Sequence, residues 1–294
     1  MSGTSITFSC EKGGNAKSMC TFQIAGELSK DSKVLVIDLD SQKANVSNYF
    51  GLTVTPATAT ICDYYRKDTP AKDLIVHIPM DGFSNGIDLI PANQDLAWID
   101  ANYKPLKMKK LIREMKSVYD YILLDAGPKG DWNQVLALSG ADWCIIPLLM
   151  DQASITGAEA MKDSVEEMQS GVNRSLKVMG FLFNRYENRT RLSRSVIESA
   201  KELAKEWGTS SAQKAVELME EELGRDLSRE EKEAIAQRSV IPIFDTTIRT
   251  ATALGRSLQS HKCIGQYEPK SAAANDFKKL ADEIRARIEG RKAV

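Results

Sequence analysis

One succession near the start of the chain limits its fold more than any other. A short apolar run, Ser5-Ile6-Thr7-Phe8, leads into the loop Glu11-Lys12-Gly13-Gly14-Asn15-Ala16-Lys17-Ser18. Helical spacing follows over Met19 to Ser29, and then a continuous apolar run, Lys33 to Leu39, closes on Asp40. Apolar runs without alternation belong to strands buried on both faces, as in a parallel sheet covered by helices. Strand, glycine-rich loop, helix and strand make a βαβ unit. Its loop suits phosphate. Paired glycines let backbone N–H groups turn inward, the helix N-terminus adds its dipole, and lysine neutralises phosphate oxygens. A hydroxyl after that lysine can hold a magnesium ion on the nucleotide.

The same pattern returns along the chain. Gly86 to Asn93 reads as a strand ended by Pro91, which cannot donate to a central ladder. Thr60 to Tyr65 reads as a short helix, and Met108 to Ser117 as an exposed amphipathic one. Tyr119 to Asp125 is an apolar strand ending in a carboxylate, the Walker B arrangement, in which the acid faces a magnesium-bound water or the ion. Further strands are expected at Ala141–Pro147, Leu176–Phe183 and Val240–Asp245, with a continuation over Leu148 to Gly157 and a helix through Met168, and a last helix from about Ala272. The expected fold is therefore a doubly wound, mostly parallel α/β sheet with helices on both faces. Ser228 and Glu231 form a capping box for a helix start. A break is expected at Gly208-Thr209-Ser210-Ser211, so residues 206–239 read as a two-helix insertion in one domain spanning 1–294.

Composition narrows the function. A net charge of −1 excludes a strongly basic nucleic-acid binder on average but not a local basic patch. Cys10, Cys20, Cys62, Cys144 and Cys263 are scattered and odd in number, which argues for reduced thiols in a cytoplasmic protein. With two histidines, a His-based metal cluster is not expected. No apolar run reaches the roughly 20 residues that span a bilayer.

The loop K-G-G-x-x-K-S, from Lys12 to Ser18, departs from G-x-x-x-x-G-K-[ST], because Ala16 stands where the last glycine belongs. It resembles the deviant Walker A loop of the ParA/MinD family of ATPases. Asp38 to Asn45 resembles that family's D-x-D-P-Q-x-N segment, with Ser41 in place of proline, and Asn188 to Val196 resembles its R-T-R-L-S-R-x-V segment. The likeness covers roughly residues 5–200 and 240–288. It implies a P-loop NTPase of the deviant Walker A type that uses ATP and Mg2+, hydrolyses slowly, and closes as a nucleotide-sandwich homodimer. By the same resemblance Lys12 reaches the partner's ATP, Gly13, Gly14, Asn15, Ala16, Lys17, Ser18 and Met19 cradle the phosphates, and Ser18, Asp38 and Asp125 organise magnesium. Asp40 positions the attacking water, and Asn184 meets the adenine. Arg189, Arg191 and Arg194 face non-specific DNA, and a ParB-like adaptor or cargo protein stimulates release. Such a cycle partitions plasmids or chromosomes, or positions a cargo, on the nucleoid.

Two other readings stay open. One is a MinD-like membrane-cycling regulator, for which the basic C-terminal end (Arg285, Arg287, Arg291, Lys292) would serve as anchor. Packing of Phe277, Leu280, Ile284 and Ile288 on the sheet is the favoured alternative to an anchor. The other is an ATP-binding scaffold with little hydrolysis, suggested by Ala16 and by Ala126-Gly127 after the Walker B strand.

Overall fold

The structure is a computed structural model describing residues 3–11, 14, 16–41, 45–83, 85–99, 104–127, 132–186 and 191–292. In chain order, its first half comprises β1 (Thr4–Phe8), α1 (Lys17–Leu28), β2 (Val34–Leu39), α2 (Asn45–Tyr49), α3 (Ile61–Lys67), β3 (Val76–Ile78), β4 (Ile87–Ile90) and α4 (Lys104–Met115). Then come β5 (Tyr121–Ala126), α5 (Trp132–Gly140), β6 (Trp143–Leu148), α6 (Gln152–Ser170), β7 (Lys177–Tyr186) and α7 (Arg191–Leu223). The chain closes with α8 (Arg229–Arg238), β8 (Ile248–Arg249), α9 (Thr252–Gln259), α10 (Ile264–Tyr267) and α11 (Ala272–Lys292).

The strands form one sheet in the order β3-β4-β2-β5-β1-β6-β7-β8. All pairings are parallel except β3 with β4, an antiparallel edge not expected from the sequence. Alternate residues feed two cores, as a pleated strand requires. On β2, Leu35, Ile37 and Leu39 join one core while Val34 and Val36 join the other. The first core is closed by buried residues of α4 to α7, the second by those of α1 and α11. β1 lies mid-sheet, and the chain leaves it first toward β2 and later toward β6. In open α/β sheets such a reversal opens a crevice at the strands' carboxyl ends. The loop of interest leaves β1 there.

Two expectations need correction. Residues 208–211 do not break a helix, because α7 runs unbroken for 33 residues. Gly208 lets the chain at Ser239 and Val240 approach, where a Cβ would meet the Ser239 carbonyl at 3.0 Å. The Thr209 hydroxyl folds back on the Lys205 carbonyl at 2.9 Å, so both residues serve the helix they were expected to end. The strand expected over 240–245 is a single bridge between Phe181 and Ile243. Pro242 has no N–H to extend a ladder, although its carbonyl accepts from Phe181 N. The capping box at Ser228 forms as expected, each residue bonding the other's backbone N–H.

On α11, Phe277, Leu280, Ile284 and Ile288 are buried in the second core. Arg287 lies 3.9 Å over the Phe244 ring and donates to the Met179 and Ile243 carbonyls. Arg285 pairs with Asp31 and Asp282. The stripe a membrane anchor would use is spent on packing. Among the described residues no helix is long and apolar enough to cross a membrane.

Candidate nucleotide site

The register of three neighbouring strands builds the floor of the site. Phe8 of β1 and Asp38 of β2 are both level with Asp125 of β5. Parallel neighbours at one level project the same way, so the two carboxylates lie side by side on the α1 side of the sheet. Both are fully buried. A third acid, Asp40, follows at 4% exposure.

Asp38 is committed to local structure. Its Oδ1 accepts from Asp40 N at 2.9 Å, and its Oδ2 accepts from Ser47 N at 3.1 Å and Ser47 Oγ at 2.6 Å. Burial still pushes its carboxyl up, to about 6, against these hydrogen bonds. Asp40 Oδ2 accepts from Asn45 Nδ2 at 2.8 Å, so the start of α2 grips both acids of the D-x-D segment.

Asp125 differs. The hydroxyl of Thr21 stands 3.3 Å from Oδ1 and Ser18 adds a side-chain hydrogen bond. Oδ2 is buried and has no hydrogen-bond partner among the described residues. Burial first, then the charge of Asp38, drives this carboxyl well above the usual range. Such an orphaned oxygen costs free energy unless something cationic or protic reaches it. The residues therefore fit a magnesium ion: an unsatisfied carboxylate oxygen, a hydroxyl from Ser18, and hard oxygen donors throughout.

Above this floor, Lys17 opens α1. It is 7% exposed, with Nζ 3.5 Å from the Cys10 carbonyl. Ala16 caps the helix at φ 61°, ψ 30°, the left-handed region that favours glycine. The departure from the glycine pattern thus keeps the glycine's backbone and places a methyl group on it. Gly14 also has positive φ, +84°, in open space.

A cleft of about 640 Å³ runs past Gly14, Ala16, Lys17, Ser18 and Met19. Its walls include Asp40 and Asn184. Asn184 is fully buried at the end of β7, with Oδ1 accepting from Arg185 N at 2.8 Å and Nδ2 3.7 Å from Cys20 Sγ. The structure thus brings together Gly14, Ala16, Lys17, Ser18, Met19, Asp38, Asp40, Asp125 and Asn184. Lys12, Gly13, Asn15 and Arg189 lie outside the described residues, as does the side chain of Arg191. Arg194 is exposed in the first turn of α7 and is not among the residues that line the cleft.

Some residues of the site had no role readable from sequence. Asn45 lies at the end of the motif segment and Ser47 outside it, and neither was expected to bond the two acids. The far wall, Arg249 to Leu258, was visible only as small residues after an arginine. Arg249 is fixed there by a two-point pair with Asp276 of α11, Nε to Oδ2 at 2.6 Å and Nη2 to Oδ1 at 2.8 Å.

A phosphate loop at the switch point of a parallel sheet, above two strand-end aspartates, defines a P-loop NTPase. The model of a family described as an AAA domain (AAA_31) matches residues 3–178. The chain belongs to that family and, within it, to the ParA/MinD ATPases of partition type. The chromosome-partitioning ATPase Soj of Treponema pallidum is 25% identical over 97% of this chain and 98% of its own. Two solved structures share the fold across 96% of both chains. The McdA(D38A)–ATP complex of Cyanothece does so at TM-score 0.74 and 16% identity. The Mg-ADP complex of the septum site-determining protein MinD from Pyrococcus horikoshii does so at 0.67 and 21%.

Proposed function

We propose that the chain is a partition or positioning ATPase that dimerises on ATP, holds non-specific DNA in that state and is released by hydrolysis. The orphaned Oδ2 of Asp125 carries this reading. A buried, unpartnered carboxylate oxygen beneath a lysine-bearing phosphate loop is a liability in any site that does not receive a cation with its ligand. Soj is named a chromosome-partitioning ATPase, and the solved McdA and MinD were captured with ATP and with Mg-ADP.

In this mechanism the loop N–H groups and Lys17 hold the β- and γ-phosphates and neutralise charge as the γ-phosphoryl departs. Magnesium, held by Ser18 and Asp125 with Asp38 behind them, would draw charge from the phosphate oxygens. Asp38 acts mainly by position and charge, since both its oxygens already accept hydrogen bonds. Asp40 orients the attacking water, and Asn45 sets the angle of its carboxylate. Asn184 faces the adenine, Lys12 enters the partner's site, and Arg189, Arg191 and Arg194 meet DNA phosphates without reading sequence. An adaptor or cargo protein stimulates the step, and the cycle runs in the cytoplasm on the nucleoid.

Steady-state ATPase with magnesium and duplex DNA tests the chemistry. Turnover lost on Asp40→Ala supports the cycle, whereas ATP binding without turnover in the parent protein would make it a scaffold. Tryptophan emission tests the dimer. Trp98 and Trp132 are 82% and 52% exposed, while Trp143 and Trp207 are buried. A blue shift on ATP that vanishes in Trp98→Phe/Trp132→Phe would place those rings under a partner. Binding of ATP by a protein that stays monomeric would refute the sandwich.

A further inference from the structure

The phosphate loop is rooted at both ends, and in opposite layers. At its far end it becomes α1, whose Met19, Cys20 and Phe22 sit in the second core. At its near end the ladder of β1 runs out at Ser9, whose N–H donates to the Ile145 carbonyl at 3.0 Å. Two residues later Glu11 turns to the layer of α5 and α6. Its Oε1 accepts from Ser164 Oγ of α6 at 3.0 Å and from Gln134 Nε2 of α5 at 3.2 Å. Ser9 turns the same way, its Oγ 3.7 Å from Met161 Sδ of α6.

Neither helix depends on this carboxylate. Ser164 Oγ also lies 3.3 Å from the Ala160 carbonyl, the acceptor one turn earlier that a helical serine commonly uses. Gln134 is 6% exposed, and its Nε2 stands 2.8 Å from Met161 Sδ. The amide has two N–H groups, one for the thioether and one for the carboxylate. Both donors thus keep an acceptor in their own layer, and what the bond pair fixes is the chain at Glu11. The fixed point is rigid, because Leu136 and Ala137 of α5 and Ala158 and Met161 of α6 are fully buried in the first core.

The residue after Glu11 gives the contact its meaning. It is Lys12, which the proposed cycle sends into the partner's site. A side chain that must act across an interface gains from a fixed root, since a misplacement of about 1 Å can cost a reaction about 100-fold.

We infer that Glu11 is a positioning residue: held by Gln134 and Ser164, it roots Lys12 so that each subunit completes its partner's site rather than its own. The inference rests on the sandwich dimer proposed above. Glu11 acts as an acceptor and not as a charge, so Glu11→Gln, which keeps an oxygen for the same two donors, preserves the role.

The test is steady-state ATP turnover of the full-length protein with magnesium and duplex DNA. Glu11→Ala is expected to lower kcat at least about tenfold, with KM within about twofold because the substrate's own cradle is untouched. Glu11→Gln should keep at least about half of the parent kcat. Adding Ser164→Ala to Glu11→Ala should cost nothing more, since the two share one contact, whereas independent effects would multiply. Matching thermal midpoints establish that each variant folds. A mixing experiment then separates action on the partner's ATP from action on the subunit's own. Glu11→Ala is mixed in equal amounts with Asp40→Ala, which the proposed mechanism makes inert. In a mixed dimer the Glu11→Ala subunit keeps its own Asp40 and receives Lys12 from a partner whose Glu11 is intact. Random pairing makes about half the dimers mixed, with one complete site each, so about a quarter of the parent turnover should return. A Glu11→Ala protein as active as the parent, or a mixture no more active than its Glu11→Ala component, would overturn the inference and leave the ATPase reading standing. Glu11→Gln falling as far as Glu11→Ala would equally overturn it, by making the charge the agent. A parent protein that stays monomeric on ATP, or does not turn it over, would sink the ATPase reading and this inference with it.

Discussion

The aspartate cluster beneath the phosphate loop and the helical hairpin of α7 and α8 treat charge in opposite ways. In the hairpin, acids have cationic partners at the surface: Arg225 with Glu231, Arg229 with Glu233 and Lys232 with Glu220. Beneath the loop, Asp38 and Asp125 are buried side by side, and one oxygen has no partner among the described residues. Exposed pairs are compensated where they stand and cost little. A buried unpaired carboxylate is retained against folding, which points to a ligand that arrives later.

The largest effect should come from the orphaned carboxylate. Asp125→Asn replaces a carboxyl that burial and Asp38 disfavour in its charged form by a neutral amide, so the unliganded protein should melt no lower. The same change should weaken magnesium-dependent nucleotide binding about 10- to 100-fold, the range seen when a supporting ligand is lost. Calorimetry with and without magnesium nucleotide reads both. A variant that melts lower when empty and binds as tightly would break the contrast, because Asp125 would then be structural.

Next is pH. Asp38 is raised from 3.8 to about 6 by burial, so the folded state binds its proton more tightly than the unfolded state. The unfolded chain then binds fewer protons between those values, and stability falls as pH rises across that window. The slope is at most about 1.4 kcal/mol per pH unit for one group. Surface carboxylates superimpose their own trends, so the measurement is the difference between the parent protein and Asp38→Asn. That difference should grow from pH 4 to 6 and level off above, in the sense that the variant gains.

The contrast also explains what could be read from sequence. The Asp38 and Asp125 strands were legible because full burial forces continuous apolar runs, and a terminal acid stands out against them. Lys17, Ser18 and Asn184 were legible as residues next to such strands. The hold of Asn45 and Ser47 on the two acids was not, since it depends on how α2 is placed against the end of β2. α7 was misread for a related reason: Gly208 and Thr209 look like a break locally, but the close approach of Ser239 and Val240 decides their state. The Arg249 wall depends on Asp276, which is 27 residues away and on another element.

A smaller effect is expected at Ala16. Left-handed backbone costs an L-residue about 1–2 kcal/mol, and glycine avoids this while adding up to about 1 kcal/mol of unfolded-state entropy. Ala16→Gly should therefore stabilise the protein by at most about 1.6 kcal/mol in denaturant melts. Ala16→Val, β-branched at the same φ, should destabilise it. A glycine variant that turns over ATP faster would show that the methyl group, and not the loop's path, limits the chemistry.

The smallest effect belongs to the hairpin, and it completes the comparison. Arg225→Ala leaves Glu231 without its guanidinium, but Glu231 also caps α8 by accepting from Ser228 N at 2.7 Å. The pair is solvent-exposed, so water takes over from the arginine and the cap remains. Thermal midpoint, nucleotide affinity and ATP turnover should all match the parent protein within error. Glu231→Ala removes both interactions and should fray the start of α8, visible as faster amide exchange there, while turnover stays unchanged. If either substitution alters nucleotide turnover, the hairpin is coupled to the site, and its charges belong with those of Asp38 and Asp125 rather than opposite them.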